Sequence, residues 1–227
     1  VSSSSGIRVS LKNFSELEPA FAGRAEEMKQ IDSVVFERNR SVQIVGFGGE
    51  GKTSLAQEWV RTRRPDLQRR NFGSVFGFSF YSGSVDRFIS DCFLDLSPQK
   101  PSWDVARRLR FICEEAALRR ILFLLDGVEV LLDQAGALVN PYIRELLERI
   151  ERTDSRIILT SRIEVPGPFI VLPLGPLRPP EIESLLAGSQ RPILHPATLK
   201  SIKGREGIVV YYPGGSMASH VAVQAIE

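Results

Sequence analysis

The stretch Gly46-Phe47-Gly48-Gly49-Glu50-Gly51-Lys52-Thr53 fills every position of the pattern G-x-x-x-x-G-K-[ST]. The apolar run Val42–Val45 before it predicts a β-strand, and residues 54–60 after it predict a helix. Glycines let the backbone turn sharply, so that successive N–H groups converge on phosphate oxygens. The start of a helix adds unpaired donors and a partial positive charge. The stretch therefore predicts a loop that binds the phosphates of a nucleoside triphosphate.

Two side chains of this loop are predicted to bind the phosphates and the metal ion. Lys52 would reach the β- and γ-phosphates, and the hydroxyl of Thr53 would ligate Mg²⁺. The nucleotide-binding residues predicted in this segment are Gly46, Gly48, Gly49, Glu50, Gly51, Lys52, Thr53 and Ser54.

Composition limits the possible partners. The chain has 227 residues, of which 29 are basic and 27 acidic, so bulk charge favours neither nucleic acid nor a membrane surface. The arginine clusters at 61–64 and 69–70 lack interleaved aromatic residues, which favours solvated helix ends over a nucleic-acid site. Cys92 and Cys113 lie in apolar helical stretches and predict buried free thiols, as in a reduced, cytoplasmic setting.

Strands alternate with helices along the central part of the chain. Each predicted strand is apolar throughout, as in residues 75–81 and 121–125, which is typical of a parallel sheet covered on both faces. The pattern predicts a P-loop NTPase fold of three α/β/α layers around a mostly parallel five-stranded sheet. A helix is expected from residue 25 to about Glu37. The helix after the phosphate loop is expected to end near Arg64, because Pro65 cannot continue it.

The sequence predicts three segments. Residues 1–18 begin with a serine-rich run and are expected to be a flexible lead-in. Residues 19–173 would form the nucleotide-binding domain, and residues 174–227 part of a small, mainly helical domain. We expect the chain to be a fragment of a longer protein, because it starts at Val1 and stops within an apolar stretch.

Three residues near predicted strand ends are candidates to complete the site. Asp126 follows the most apolar strand, at the edge where open α/β sheets bind ligands, and could hold Mg²⁺ beside Thr53. Glu129 could orient or deprotonate the attacking water, and Arg162 could bind the γ-phosphate. Lys52, Asp126 and Glu129 are thus the candidate catalytic residues. The alternatives are a turn carboxylate for Asp126, a loop carboxylate for Glu129 and a surface arginine for Arg162.

Four segments in this order resemble the STAND class of signal-transducing ATPases, the NB-ARC and NACHT group, and in particular its prokaryotic members. The resemblance covers residues 21 to 186. The segments are Phe21-Ala22-Gly23-Arg24, similar to the family's apolar-Gly-Arg motif; Gly46 to Ala56, similar to its phosphate loop; Leu124-Leu125-Asp126-Gly127-Val128-Glu129, similar to its acidic motif; and Leu159-Thr160-Ser161-Arg162, similar to its T-[ST]-R sensor.

The resemblance implies further roles. Phe21, Gly23 and Arg24 would line the adenine and ribose side, and Arg162 would sense the γ-phosphate. Family members carry a G-x-P segment in the helical domain whose proline touches adenine. Here residues 214–218 lack that proline, since Pro213 precedes the glycines. Without that proline, the sequence does not predict which residues of the helical domain would contact adenine.

The function that the resemblance implies is a regulatory switch in signalling or immunity. ADP would hold a closed monomer, and exchange for ATP with Mg²⁺ would allow self-association through the nucleotide-binding domain, with slow hydrolysis. The alternative is a motor-type or DNA-associated ATPase of the archaeal and origin-binding groups, which share the loop and the Gly-Arg motif. A small-molecule kinase would need an arginine-rich lid, and a GTPase would need an Asn-Lys-x-Asp motif. Neither is found in the sequence.

Overall fold

A six-stranded, all-parallel β-sheet forms the centre of the chain in the computed structural model, which describes residues 6–15, 21, 23–97, 102–178, 208–209 and 224–225. The elements in chain order are β1 (Arg8–Lys12), α1 (Ala25–Asp32) continued by a π-helical turn (Ser33–Glu37), β2 (Val42–Val45), α2 (Lys52–Arg69), β3 (Ser74–Ser79), α3 (Val85–Leu96), α4 (Val105–Arg119), β4 (Ile121–Asp126), a 3₁₀ turn (Val128–Leu131), α5 (Pro141–Ile150), β5 (Arg156–Ser161), β6 (Ile170–Pro173), β7 (Ile208–Val209) and β8 (Gln224–Ala225).

The strand order β1-β3-β4-β5-β2-β6 sets the geometry of the site. The strand β2, which leads into the phosphate loop, pairs with β5 and β6. The strand β4, which ends in Asp126, pairs with β3 and β5. Because β5 lies between β2 and β4, whatever follows β5 emerges between the phosphate loop and Asp126.

Helices cover both faces of the sheet. Apolar side chains of α1 and α2 pack on one face around Trp59, and those of α3, α4 and α5 pack on the other around an aromatic cluster that includes Phe88. Both cores consist of fully buried residues such as Phe76, Phe123 and Ile44. Burying an aliphatic or aromatic side chain contributes about 1.5–3 kcal/mol. The predicted three-layer α/β/α architecture is confirmed.

The sheet has one strand more than the sequence predicted. Residues 8–12 lie within the expected flexible lead-in, yet they form β1 at the sheet edge, parallel to β3. Val9 and Leu11 pack against the core on the α2 side. The guanidinium of Arg64 donates to the carbonyl of Ile7 at 2.7 and 3.1 Å and holds the start of the strand. Such contacts between distant segments leave no local pattern, and the lead-in prediction is wrong for these residues.

Helix α2 continues past Pro65 to Arg69, so the predicted end near Arg64 is also wrong. A proline within a helix leaves the carbonyl four residues earlier without its partner, at a cost of about 3 kcal/mol. Here that carbonyl belongs to Arg61, and both Arg61 and Pro65 are exposed, so water can bind it. The fully buried Leu67 holds the last turn of α2 on the core and offsets part of the cost.

The helix predicted from residue 25 to about Glu37 is present, with a π-helical last turn. Cys92 and Cys113 are buried free thiols, as predicted, and burial raises the pKa of the Cys113 thiol to about 11. Most of the predicted helical domain lies outside the described residues, and its described parts are residues 174–178 and the antiparallel pair of β7 and β8. In the described part of the chain, no helix has the length and apolar character needed to cross a membrane.

Candidate nucleotide-binding site

The phosphate loop joins the end of β2 to the start of α2. Gly49 and Gly51 have φ angles of 88° and 83°, which β-carbon-bearing residues rarely adopt. A side chain at Gly46 would collide with the carboxylate of Glu50 and the carbonyl of Leu174. The first N–H groups of α2 have no carbonyl partner within the helix and point out of its N-terminus. The local geometry fits the predicted phosphate loop, with Ser54 exposed on the first turn of the helix.

The ammonium group of Lys52 lies over this loop. It donates to the carbonyls of Gly46 and Phe47, both at 2.7 Å. Burial lowers the pKa of Lys52, and the carboxylates of Glu129 and Glu50 oppose that shift. A buried ammonium group that bonds only to neutral carbonyls is a favourable partner for phosphate oxygens, because charge-assisted hydrogen bonds are about twice as strong as neutral ones.

Three hydroxyl groups converge on the buried carboxylate of Asp126. Thr53 and Thr160 donate to Oδ1 at 2.5 and 2.6 Å, and Ser79 donates to Oδ2 at 2.8 Å. Ser79 is directly opposite Asp126 in the sheet register. The structure thus brings Thr53 and Asp126 together, and their shared role as Mg²⁺ ligands stays a prediction.

This network suits a magnesium ion. Because the hydroxyl of Thr53 donates its hydrogen bond to Asp126, the lone pairs of its oxygen remain available to ligate a cation. Hydroxyl and carboxylate oxygens are the ligands that Mg²⁺ prefers. Within the described residues, no group of three or more His, Cys, Asp or Glu side chains could hold a metal without help. The donor set fits an ion that takes its remaining ligands from phosphates and water.

Glu129 is held between an arginine and a tyrosine. Its Oε1 accepts a hydrogen bond from the hydroxyl of Tyr81 at 2.5 Å and pairs with Nε of Arg162 at 3.2 Å. Its Oε2 is buried and has no hydrogen-bond partner among the residues that the structure describes. Burial and the adjacent Glu129 raise the pKa of Tyr81 to about 12. The hydroxyl of Tyr81 therefore stays protonated, as a donor, throughout the neutral range.

Arg162 occupies the position that the strand order gives it. It follows β5, between the phosphate loop and Glu129, and its guanidinium carbon lies 3.7 Å from the point that a β-carbon at Gly48 would occupy. The side chain is 60% exposed, so it can change partners at little cost. Arg162 thus contacts Glu129 while lying beside the loop predicted to hold the phosphates.

The Gly-Arg motif packs on the other side of the loop. Phe21 is half-buried against the core, and Gly23 and Arg24 both have positive φ angles, of 76° and 63°. The buried guanidinium of Arg24 bonds to Glu27 at 2.8 Å, to the carbonyl of Glu50 at 3.0 Å and to the carbonyl of Gly175 at 2.7 Å. Arg24 thus connects α1, the phosphate loop and the segment after β6. Contact of this motif with adenine and ribose stays a prediction.

Sequence reasoning assigned no role to Ser79, Tyr81 or the hydroxyl of Thr160. Thr160 lies inside the quoted T-[ST]-R segment, Ser79 is the last residue of β3, and Tyr81 follows two residues later. A polar residue at the end of an apolar strand is a usable signal. Which strand lies next to β4 depends on the sheet order, however, and that order is not visible in the sequence. Tyr81 also needs Gly127, whose side-chain-free surface accommodates the tyrosine ring.

Comparison with solved structures supports the fold. The ORC2 protein of Aeropyrum pernix, solved in ADPNP–ADP complexes, matches with a TM-score of 0.55 and 16% identity over 86% of this chain and 60% of that chain. The Walker-type ATPase PABY2304 of Pyrococcus abyssi matches with a TM-score of 0.53 and 16% identity over 86% and 67%. The ORC1 protein of A. pernix, solved in complex with DNA, matches with a TM-score of 0.54 and 16% identity over 75% and 50%.

The chain has the fold of the P-loop ATPases. It spans about half the length of the ORC1 structure that it matches. No protein-family model matches the sequence, and no curated protein matches it. At this level of identity, the likeness concerns the fold, and the activity has to be argued from the site.

Proposed function

We propose that the chain binds ATP and ADP with Mg²⁺, hydrolyses ATP slowly and acts as a nucleotide-dependent switch within a larger protein. The observation that carries the proposal is the hydrogen bond from Thr53 to Asp126 at 2.5 Å. It connects the phosphate loop to the strand β4 across β5. A glycine-rich turn with a purely structural role would have no need of a buried carboxylate aimed at its threonine.

The residues of the site would have three roles, namely phosphate binding, Mg²⁺ ligation and orientation of the attacking water. Lys52 and the N–H groups of α2 would bind the phosphates, and Thr53 and Asp126 would hold Mg²⁺. The ion would neutralise part of the phosphate charge. Glu129 would orient the attacking water through its second carboxylate oxygen, which has no partner among the described residues.

The switch would operate through Arg162. In the structure its guanidinium pairs with Glu129. A γ-phosphate carries more negative charge than a carboxylate and would compete for the same donor, which would release Glu129 for catalysis. A ligand shifts a conformational equilibrium only through contacts that differ between two states. ATP would make this contact and ADP would not.

Two classes of larger protein remain candidates. The four motifs favour a STAND-type switch, in which ATP drives self-association. The structural likeness to the ORC1 and ORC2 proteins favours a DNA-associated ATPase, since the ORC1 structure contains DNA. ATP-driven assembly without any effect of DNA would support the first class. Hydrolysis that duplex DNA stimulates would support the second.

Calorimetric titration with ATP, ADP, GTP and GDP in the presence of Mg²⁺ tests the shared part of the proposal. We expect adenine nucleotides to bind more tightly than guanine nucleotides. Tighter binding of GTP than of ATP, or no binding of either, would contradict it.

A further inference from the structure

Each of the four central strands is entered through a turn that carries two arginines, at the edge of the sheet opposite the nucleotide site. Arg38 and Arg40 precede β2, and Arg69 and Arg70 precede β3. Arg119 and Arg120 precede β4, and the turn into β5 contains Arg152 and begins the strand at Arg156. We call these four turns the basic edge. Taken one at a time, such clusters indicate solvated helix ends, but the fold gathers all four together.

Direct contacts join the four turns into one surface. The guanidinium of Arg120 donates to the carbonyls of Asp154 and Arg70 and to the side chain of Asn39, at 3.1, 2.8 and 2.9 Å. These acceptors lie on the turns before β5, β3 and β2. Arg40 adds an ion pair with Glu151 at 3.2 Å. The positions of the arginines are therefore fixed relative to one another.

Part of this arrangement has a structural explanation. The basic edge contains the C-termini of α2, α4 and α5, where the helix dipole favours cations. Arg70, Arg120 and Arg156 donate to backbone carbonyls there. Arg38 and Arg152 also lie at helix C-termini, because Arg38 caps the π-helical turn after α1 and Arg152 follows the C-cap of α5, but their side chains do not bond there. Both are exposed, and neither has a side-chain hydrogen bond or ion pair within the described part of the chain.

The arginines of the basic edge outnumber the carboxylates around them. Five carboxylates lie on or beside the same turns, at Glu37, Asp66, Glu115, Glu151 and Asp154, against eight arginines. The edge thus carries an excess of three positive charges, although the whole chain has a formal charge of only +2. A positive surface on an otherwise near-neutral chain favours an anionic partner.

We propose that the basic edge binds the phosphate backbone of double-stranded DNA without reading its sequence. Four neighbouring strands lie about 4.8 Å apart, so the edge spans about 14 Å, comparable to the roughly 12 Å width of the major groove. Arginines along it can contact phosphates on both sides of that groove. Such contacts give sequence-independent, salt-dependent binding.

The aromatic residues of the edge favour a duplex over a single strand. Proteins that bind single strands stack bases on open aromatic rings. Here arginines cover the rings: Arg70 lies 4.6 Å from the ring centre of Phe36, and Arg120 lies 4.4 Å from that of Phe72. Neither ring is open to a base, so the edge offers guanidinium groups alone.

Fluorescence anisotropy with a labelled 20-base-pair DNA duplex, at several KCl concentrations, tests the proposal. The variant Arg38→Gln/Arg152→Gln removes two charges whose side chains bond to nothing in the described ranges, so folding should be preserved, and circular dichroism melting checks this. The matched control is Arg107→Gln/Arg110→Gln. It removes two exposed arginines towards the other end of α4, where Arg107 and Arg110 lie about 18 and 14 Å along the helix from Arg119.

We expect the unmodified chain to bind the duplex with a log–log salt slope of about −3 to −4, from about −0.9 for each neutralised phosphate. The Arg38→Gln/Arg152→Gln variant should bind roughly tenfold more weakly, with a slope shallower by about 2. The control should bind within about twofold of the unmodified chain.

Equal binding by the unmodified chain and the Arg38/Arg152 variant, or an equal loss in both variants, would overturn the proposal. So would tighter binding of the corresponding single strand or of duplex RNA. Phosphatidylserine vesicles serve as a further probe at the same salt. If they bind more tightly than the duplex, and the Arg38/Arg152 variant loses that binding, the edge contacts a membrane surface and the DNA assignment is wrong.

Discussion

The hydroxyl of Tyr81 lies 2.5 Å from Oε1 of Glu129, the same oxygen that pairs with Arg162. A donor and a cation thus share one carboxylate oxygen, while the other oxygen has no partner in the described part of the chain. Both interactions hold the carboxylate in one orientation. The candidate general base is therefore restrained by two groups, of which only Arg162 lies beside the phosphate loop.

Replacing Tyr81 with Phe tests the first of these restraints. Loss of a hydrogen bond to a charged group is worth about 1.5–3 kcal/mol, and about 1.4 kcal/mol corresponds to tenfold in rate. We expect Tyr81→Phe to raise ATP hydrolysis by about tenfold, the lower end of that range, because the carboxylate of Glu129 is then held by one group fewer and can turn towards the attacking water. Tyr142→Phe, at a partly buried tyrosine on α5, is the control. A slower Tyr81→Phe variant would show that the hydroxyl holds Glu129 in its working position instead.

The raised pKa of Tyr81 predicts a specific dependence of stability on pH. In the unfolded chain the phenol should titrate near 10, and in the folded protein near 12. Between these values the unfolded state loses its proton first, so this contribution to stability is complete below pH 10 and is lost as pH rises towards 12. The difference in unfolding free energy between the unmodified protein and Tyr81→Phe should decline over that window.

Ultraviolet absorbance at alkaline pH checks the same pKa directly. The difference between the titration curves of the unmodified protein and Tyr81→Phe isolates this phenol, and Glu129→Gln should lower its midpoint because a neighbouring negative charge is removed. A midpoint near 10 in the unmodified protein would contradict the hydrogen bond between Tyr81 and Glu129.

Most of the fold could be predicted because its strands are apolar and separated by helical patterns. The phosphate loop, Asp126 and Arg162 could be predicted because each occupies a motif or a strand end. The strand β1 could not be predicted, since it has only five residues, is charged at both ends and lies half exposed at the edge of the sheet. The contact between Tyr81 and Glu129 was also hidden, because it depends on β3 lying beside β4. Local patterns predict elements, whereas contacts between elements depend on the sheet order.

Removal of the Lys52 side chain tests the phosphate loop. We expect Lys52→Ala to weaken ATP binding by at least about 1.5–3 kcal/mol, the value for one charge-assisted contact. Isothermal titration calorimetry measures this loss, and Lys29→Ala, at an exposed lysine paired with Glu26, is the control. An unchanged dissociation constant for Lys52→Ala would show that the loop does not bind the nucleotide.

Two conservative substitutions should separate binding from turnover. Asp126→Asn should weaken the dependence of ATP affinity on Mg²⁺, because the carboxylate that holds Thr53 loses its charge. Glu129→Gln should leave binding nearly intact and abolish hydrolysis, since a water-orienting group acts mainly in the transition state. Titrations with and without Mg²⁺, together with phosphate-release assays, distinguish the two. Full hydrolysis by Glu129→Gln would mean that another group positions the water.

Substitution of Arg162 is the most direct test of the switch. A side chain that contacts only the γ-phosphate contributes to the affinity for ATP and not to that for ADP. We therefore expect Arg162→Ala to weaken ATP binding by about 1.5–3 kcal/mol and to change ADP binding much less. Since Arg162 is largely exposed and its partner Glu129 keeps the bond from Tyr81, the variant should remain folded.

The matched control for this last substitution is Arg144→Ala, at an arginine on α5 whose guanidinium, among the described residues, donates only to the carbonyl of Leu138. It should leave both nucleotide affinities unchanged. Calorimetric titration of ATP and ADP into Arg162→Ala and Arg144→Ala gives the comparison. An equal loss of ATP and ADP affinity in Arg162→Ala would show that Arg162 contacts the β-phosphate or supports the loop. The γ-phosphate sensor would then have to be sought elsewhere, and Arg24, which bonds to the carbonyl of Glu50 within the loop, is the next candidate.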